Sequence, residues 1–172
     1  MLMPEVYVSI GSNIEPELNF CACLKALHAH FGSLQCSTIY RTPALGFEGE
    51  PFLNAVVSFH TELSSLALKT WLRDLEKQQG RQASPQKFSA RSLDLDLLLY
   101  ADLVEPTQKL PHPDILQYTF VFQPLLELAP KHKHPILGES LADLATQLHT
   151  NSESNSLIRI QLACAKPWQI SV

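Results

Sequence analysis

The sequence has no apolar run approaching the length of a bilayer span, so a membrane-spanning protein is not expected. It also lacks a cationic leader backed by an apolar stretch. The opening MLMPEVYVSIGSN carries neither, and the expected location is the cytoplasm. Basic residues are in deficit, with 13 Lys and Arg against 17 Asp and Glu and a formal charge of -4. No broad cationic surface for duplex nucleic acid follows, and an anionic ligand must be met by a local cluster. The four cysteines, Cys21, Cys23, Cys36 and Cys164, lack the paired C-x-x-C spacing of a zinc site. In a cytosolic chain they read as reduced, small apolar packing residues. There are no internal repeats, and low complexity is confined to the polar stretch 150–155.

What is present is a globular balance: 45% hydrophobic and 17% charged residues in 172 positions, enough for one domain over 1–172 with its own core. Residues 5–10 alternate, with Val6, Val8 and Ile10 on one face, and stop at the turn chemistry of Gly11-Ser12-Asn13. Phe20, Leu24, Leu27 and Phe31 recur at helical spacing between Pro16, suited to a first turn, and Gly32, suited to a C-terminal cap. Strands are predicted over 34–40 and 52–61, the latter with Leu53, Ala55, Val57 and Phe59 facing one way, separated by a Pro- and Gly-rich loop. A second helix starts at Ser64 or Ser65, buries Leu68, Trp71, Leu72 and Leu75, and ends at Gly80. Residues 93–100 form a strand with Leu93, Leu95, Leu97 and Leu99 on one face and Asp94 and Asp96 on the other. Strand, helix, strand, strand, helix, strand is the ferredoxin-like βαββαβ order. The fold class is therefore α+β: an antiparallel sheet with helices on one face and loops or ligand on the other, plus extra C-terminal helices near 115–128 and 140–148 and a late strand near 157–162.

The chemistry concentrates at Arg91-Ser92-Leu93-Asp94-Leu95-Asp96. Two carboxylates at i and i+2 of a strand share a face about 7 Å apart, close enough to share hard cations that also grip a polyphosphate. That suits magnesium with ATP, although a bare D-x-D is equally the pattern of a solvated strand face. The preceding loop adds Arg81 and Lys87, cations that with Arg91 can close over phosphate oxygens. The loop 41–46 presents backbone groups in fixed directions, and Asn54 adds an amide. Phe52 and Phe120 add π-faces, together suiting a flat heterocycle. Pro111-His112-Pro113-Asp114 reads as a rigid turn beside an imidazole, and His132-Lys133-His134 as no metal site. RNA binding through sheet aromatics is disfavoured by the acidic charge and the lack of an aromatic-rich strand.

Taken in order, Gly11-Ser12-Asn13, residues 40–46, Phe52-Leu53-Asn54, Gln78-Gln79-Gly80-Arg81, residues 91–96, Pro111-His112-Pro113 and residues 120–130 resemble the 6-hydroxymethyl-7,8-dihydropterin pyrophosphokinase family. The resemblance covers about the first 130 residues; the last forty match no block of it. It implies a ferredoxin-like fold and transfer of pyrophosphate from ATP to the hydroxymethyl group of the pterin in folate biosynthesis, releasing AMP. Asp94 and Asp96 would hold two magnesium ions and, with Arg81 and Arg91, form the catalytic set. Thr42, Pro43, Leu45 and Asn54 would bind the pterin edge, with Phe52 and Phe120 sandwiching its ring. Glu76, Arg81, Lys87, Arg91 and His112 would lie on the nucleotide side, and Leu97 near the adenine. The expected state is a monomer with neither nucleic acid nor membrane as partner. Ala83, Phe88, Ser89 and Tyr118 depart from residues common in the family, Tyr118 standing where a phosphate-binding arginine is frequent and leaving Lys109 as the alternative cation. Phe52 replaces a common tyrosine. These departures motivate the rival reading, a weakly active or non-catalytic pterin- or nucleotide-binding paralogue.

Overall fold

The structure, a computed structural model of the chain, describes residues 2–80, 90–148 and 157–170. The basic loop expected at 81–89, with Arg81, Ala83, Lys87, Phe88 and Ser89, and the polar stretch at 150–155 lie outside the described residues.

The elements run β1 (Glu5–Ser12), α1 (Pro16–Phe31), β2 (Gln35–Cys36), β3 (Ile39–Thr42), β4 (Phe52–His60), α2 (Ser65–Gln78), β5 (Asp94–Tyr100), α3 (Asp114–Gln117), α4 (Thr119–Leu128), α5 (Leu141–Leu148) and β6 (Ile158–Ile160). The sheet order is β5-β1-β4-β3-β6, with β2 also paired to β4 and every pair of these strands antiparallel. Its first four positions are the ferredoxin-like arrangement, in which β1 is central between β4 and β5.

Period two decides which residues meet the core helices. Val6, Val8 and Ile10 of β1, Leu53, Ala55, Val57 and Phe59 of β4, and Leu93, Leu95 and Leu97 in and before β5 form one buried cluster. They pack with Phe20, Cys23, Leu24 and Leu27 of α1 and Leu68, Leu72 and Leu75 of α2. Each such side chain contributes about 1.5–3 kcal/mol relative to exposure. Pro16 sits in the first turn of α1 and Gly32, at φ 78°, takes the cap position that a Cβ would strain. Ser64 caps α2, its Oγ accepting from the Ala67 N–H.

The opposite face is covered more fully than the sequence implied. Tyr7, Val56, Leu98 and Leu99 pack against Ile115, Val121, Phe122, Leu125, Leu141 and Leu144 of α3, α4 and α5. The extra C-terminal helices thus cover part of the face expected to carry only loops and ligand. Leu99 belongs to this side, contrary to strict alternation. The β1–β5 register jumps from Tyr7↔Leu99 to Val8↔Leu97, so Leu98 is extra and both Leu98 and Leu99 turn toward α4.

Three further expectations are corrected. The strand expected at 34–40 is split into β2 and β3 because buried Ser37 pairs with Val56 through both its N–H and its Oγ, while α4's Glu127 accepts from the Thr38 N–H and the Tyr40 hydroxyl. The helix expected over 115–128 breaks at Tyr118, whose backbone is extended at φ -126°, ψ 124°. The cysteines are not all reduced: Cys21 of α1 and Cys164 form a disulfide, Cα atoms 5.8 Å apart, that ties α1 to the segment after β6. A separation of 143 positions leaves no local pattern from which to read it. Cys23 and Cys36 are free and buried, and burial pushes the Cys36 thiol up to about 12. Among the described residues, no helix is long and apolar enough to cross a membrane.

Candidate active site

The site begins where β1 ends. The turn expected at Gly11-Ser12-Asn13 begins later, because β1 continues through Ser12, with Gly11 between Asn54 of β4 and Asp94 of β5. Ser12 and Asn13 then fix the segment leading into β5. Ser12 Oγ donates to the Ser92 carbonyl at 2.5 Å, the Asn13 N–H donates to the Arg91 carbonyl at 2.9 Å, and Asn13 Oδ1 accepts from the Arg91 N–H at 2.6 Å. This anchoring sets where both strand carboxylates start.

Asp94 and Asp96 both line a cleft of about 420 Å³. Arg91 Nη1 donates to Asp94 Oδ1 at 2.7 Å in a partly buried ion pair, the counter-charge that a carboxylate beside a leucine-rich strand requires. Asp96 is more open, and His112 Nε2 lies 3.9 Å from its Oδ1. His112 follows the cis Leu110–Pro111 peptide and is held to the sheet by its N–H donating to the Leu98 carbonyl at 2.9 Å. Its Nδ1 accepts from the Asp114 N–H at 3.3 Å, which leaves Nε2 toward Asp96. Asp96, His112 and Asp114 each offer a ligand atom, all within 4.8 Å of one another. This oxygen-rich donor set fits a hard divalent cation that keeps part of its water shell.

The same cleft is lined by all six residues assigned to a flat ring: Thr42, Pro43, Leu45, Phe52, Asn54 and Phe120. Asn54 is buried, and its Nδ2 donates to Thr42 Oγ1 at 2.6 Å, which orients the amide. Phe47 meets Phe52 edge-on at 6.2 Å, and Tyr118 stacks on Phe120 at 5.1 Å with planes 20° apart. Both expected ring faces are therefore backed by a second aromatic, a support the sequence did not signal for Phe47.

A second cavity of about 280 Å³ lies on the α2 side and shares Asp96, Lys109 and His112 with the first. Glu76 and Leu97 line it, with Leu72 and Leu95 adding apolar surface and Lys69, Arg73, Thr107 and Gln108 polar surface. Glu76 is 2% exposed, and its Oε1 accepts from the Leu95 N–H at 2.7 Å, joining α2 to β5. Lys69 Nζ donates to the Gln108 carbonyl, and burial lowers the lysine's pKa. The structure thus gathers the ring-side residues, the aspartates, Arg91 and His112 in one cleft, and places Glu76 and Leu97 in the adjoining cavity. Of the assigned residues, Arg81 and Lys87 lie outside the described part. His132 and His134 face elsewhere, His132 toward Asp102 and His134 Nδ1 toward the Ile136 and Leu137 N–H groups.

A ferredoxin-like sheet carrying an acidic, arginine-flanked cleft beside a second polar cavity has the layout of a group-transfer enzyme. The family model described as 7,8-dihydro-6-hydroxymethylpterin-pyrophosphokinase (HPPK) matches residues 7–130, and the chain belongs to this family. The 2-amino-4-hydroxy-6-hydroxymethyldihydropteridine pyrophosphokinase of Aquifex aeolicus is 34% identical over 145 residues, 82% of this chain and 90% of that protein. The Haemophilus influenzae protein of the same name is 35% identical over 133 residues, 74% of this chain and 82% of the relative. A solved HPPK-DHPS in complex with substrates superimposes with a TM-score of 0.66 at 10% identity over 92% of this chain, which spans about half (49%) of that longer one.

Proposed function

We propose that the chain transfers the pyrophosphoryl group of ATP to the hydroxymethyl oxygen of 6-hydroxymethyl-7,8-dihydropterin, releasing AMP. The observation that carries this reading is the single cleft that brings the six ring-side residues against Asp94 and Asp96. Phe52 and Phe120 offer the faces between which the pterin stacks, and the Asn54 amide, oriented by Thr42, reads its polar edge. The base and ribose of ATP take the adjoining cavity past Leu97 and Glu76, so the phosphates cross Asp96 and His112 to reach the cleft.

Asp94 and Asp96, with His112 and Asp114 beside them, are the residues that would hold magnesium, two ions in this reading. When bound, magnesium neutralises polyphosphate charge and acidifies a coordinated hydroxyl. Arg91 orients Asp94, and Arg81 and Lys87 are assigned to the phosphates from the sequence alone. The hydroxymethyl oxygen bonds to the β-phosphorus, the bond from that phosphorus to the α-bridging oxygen breaks, AMP takes the electron pair, and the hydroxyl proton is released. Positioning and electrostatics carry such a transfer, with no side-chain base required.

The reading includes one domain over 1–172, acting as a cytoplasmic monomer without nucleic acid or membrane partners; light scattering tests the monomer. A product assay for AMP with hydroxymethyl-dihydropterin and magnesium-ATP tests the activity, and AMP release dependent on both substrates is expected. The uncharged Tyr118 favours a second reading, a binding paralogue. Calorimetric binding of both ligands with no AMP formed would select it.

A further inference from the structure

The ring-side residues reach the cleft from two layers, Thr42 and Asn54 from the sheet and Phe120 from α4. One side chain ties those layers together with both of its oxygens. Near the end of α4, Glu127 accepts from the Tyr40 hydroxyl on Oε1 and from the Thr38 N–H on Oε2, the latter at 2.8 Å. Neither Tyr40 nor Glu127 lines the cleft, so neither touches a ligand held there. We propose that Glu127 is a positioning residue for the acceptor substrate, clamping Tyr40 beside Asn54 and thereby fixing the amide and the ring gap that the pterin enters. The proposal rests on the pyrophosphokinase reading for the identity of that ligand, and on the geometry for the residue.

In the β3–β4 ladder Tyr40 is the cross-strand partner of Asn54, and Thr42 that of Phe52. Directly opposed residues of an antiparallel pair share a face with Cβ atoms about 4.5–5.5 Å apart, so the Tyr40 and Asn54 side chains leave the sheet side by side. Their neighbours Leu53 and Ala55 take the other face, in the core with α1 and α2. Asn54 Nδ2 donates to Thr42 Oγ1 at 2.6 Å, and Thr42 lies two residues beyond Tyr40 on the same face of β3. Glu127, Tyr40, Asn54 and Thr42 therefore run as one line of neighbours from the helix to the edge of the ring site. On the helix, Phe120 precedes Glu127 by seven residues, two turns along the same side of α4, so the clamp and the ring face share a stripe. Tyr40 is 3% exposed, and burial, with Glu127 beside it, pushes its hydroxyl up to about 12. The phenol keeps the proton that it donates.

The test is calorimetric titration of the full chain with a non-hydrolysable magnesium-ATP analogue, and then of the analogue-saturated protein with 6-hydroxymethyl-7,8-dihydropterin. Glu127→Ala should weaken the pterin about tenfold and the analogue less than about twofold. Glu127→Gln should hold the pterin within about threefold of wild type, because its amide oxygen accepts from the Thr38 N–H while its NH2 group donates to the Tyr40 oxygen. Tyr40→Phe should cost about threefold, and added to Glu127→Ala should cost less than about twofold more, since both variants remove the same bond. Unchanged pterin binding in Glu127→Ala, an equal loss for the analogue, or a loss in Glu127→Gln as large as in Glu127→Ala overturns the assignment. Where thermal melting shows that Glu127→Ala does not fold, Tyr40→Phe decides, because it deletes only a hydroxyl: a loss confined to the pterin supports the proposal, and no loss overturns it. Wild-type protein that binds no pterin overturns this proposal and the pyrophosphokinase reading together. Pterin binding without AMP release overturns only the latter.

Discussion

Within β5, Leu95 and Leu97 face α1 and α2 and are 6% and 1% exposed, while Asp94 and Asp96, one residue away, stand in the open cleft. The α1/α2 side is closed by interdigitating leucines and phenylalanines; the other side is closed by α4 at one end and left open at the end where β1 and β5 meet Arg91. The alternation of one strand thus separates the packed core from the candidate site, because neighbouring side chains point to opposite faces. A variant on either face should damage one property and spare the other.

The largest expected effect is on the cleft side. Asp96→Asn keeps the shape and removes the charge facing His112 and Asp114, so turnover should fall by at least about 10³-fold, roughly 4 kcal/mol of transition-state stabilisation. The melting temperature should stay within about 2 °C of wild type, since a half-exposed carboxylate contributes little to the fold. Its counterpart is Leu24→Ala in α1, fully buried, which should cost about 2–5 kcal/mol of stability by denaturant titration and leave kcat near wild type. Turnover by Asp96→Asn at the wild-type rate, or a stable but inactive Leu24→Ala, would break the division between the faces.

The disulfide belongs to the closed side and sharpens the comparison. Cys21→Ser removes a cross-link between residues 143 apart, worth about 2–4 kcal/mol by constraint of the unfolded chain. Activity at 25 °C should be unchanged. Cys23 and Cys36 should stay inert to a thiol reagent until the protein unfolds, because burial raises both thiols and withholds the thiolate. Loss of stability below about 0.5 kcal/mol in Cys21→Ser would show that the sheet and helices hold the C-terminal segment without it.

Much of this division could be read before the fold was known, and the failures have specific causes. Val6, Val8 and Ile10, the Leu53 to Phe59 alternation and the Asp94/Asp96 pair obey period two, so their faces were legible. Leu99 was misplaced because a bulge opposite Tyr7 and Val8 adds one residue, and a bulge leaves no mark in an unbroken run of leucines. The break at Ser37 depends on its Oγ bonding to β4, and the break at Tyr118 on extended backbone between α3 and α4, neither of which has a local composition signal. The six residues expected at the ring side were assigned through ordered motifs, and the structure brings them to one cleft. Phe47 was missed because it supports Phe52 from within a loop that has no periodicity.

Gly11 tests the comparison most finely, because it lies on the sheet between the two regimes and its replacement changes no charge. Its constraint is space, not backbone conformation. A Cβ there would stand 3.2 Å from Asn54 Oδ1 and 3.9 Å from Phe52 Cδ1 and Asp94 Cβ. Asn54 cannot yield freely, since its Nδ2 is bonded to buried Thr42 Oγ1 at 2.6 Å, so the amide must shift by a few tenths of an ångström and stretch that bond. Against this, an alanine in extended backbone lowers unfolded-state entropy and stabilises by about 0.4–1 kcal/mol. The two effects are of similar size, and Gly11→Ala should leave the melting temperature nearly unchanged. Ligand recognition has no such compensation. In the proposed reading a displaced amide misaligns the donor and acceptor offered to the pterin edge, so pterin affinity by calorimetry should weaken about fivefold, near 1 kcal/mol, while ATP-analogue affinity holds. Unaltered pterin binding in a well-folded Gly11→Ala would mean that Asn54 does not read the ring.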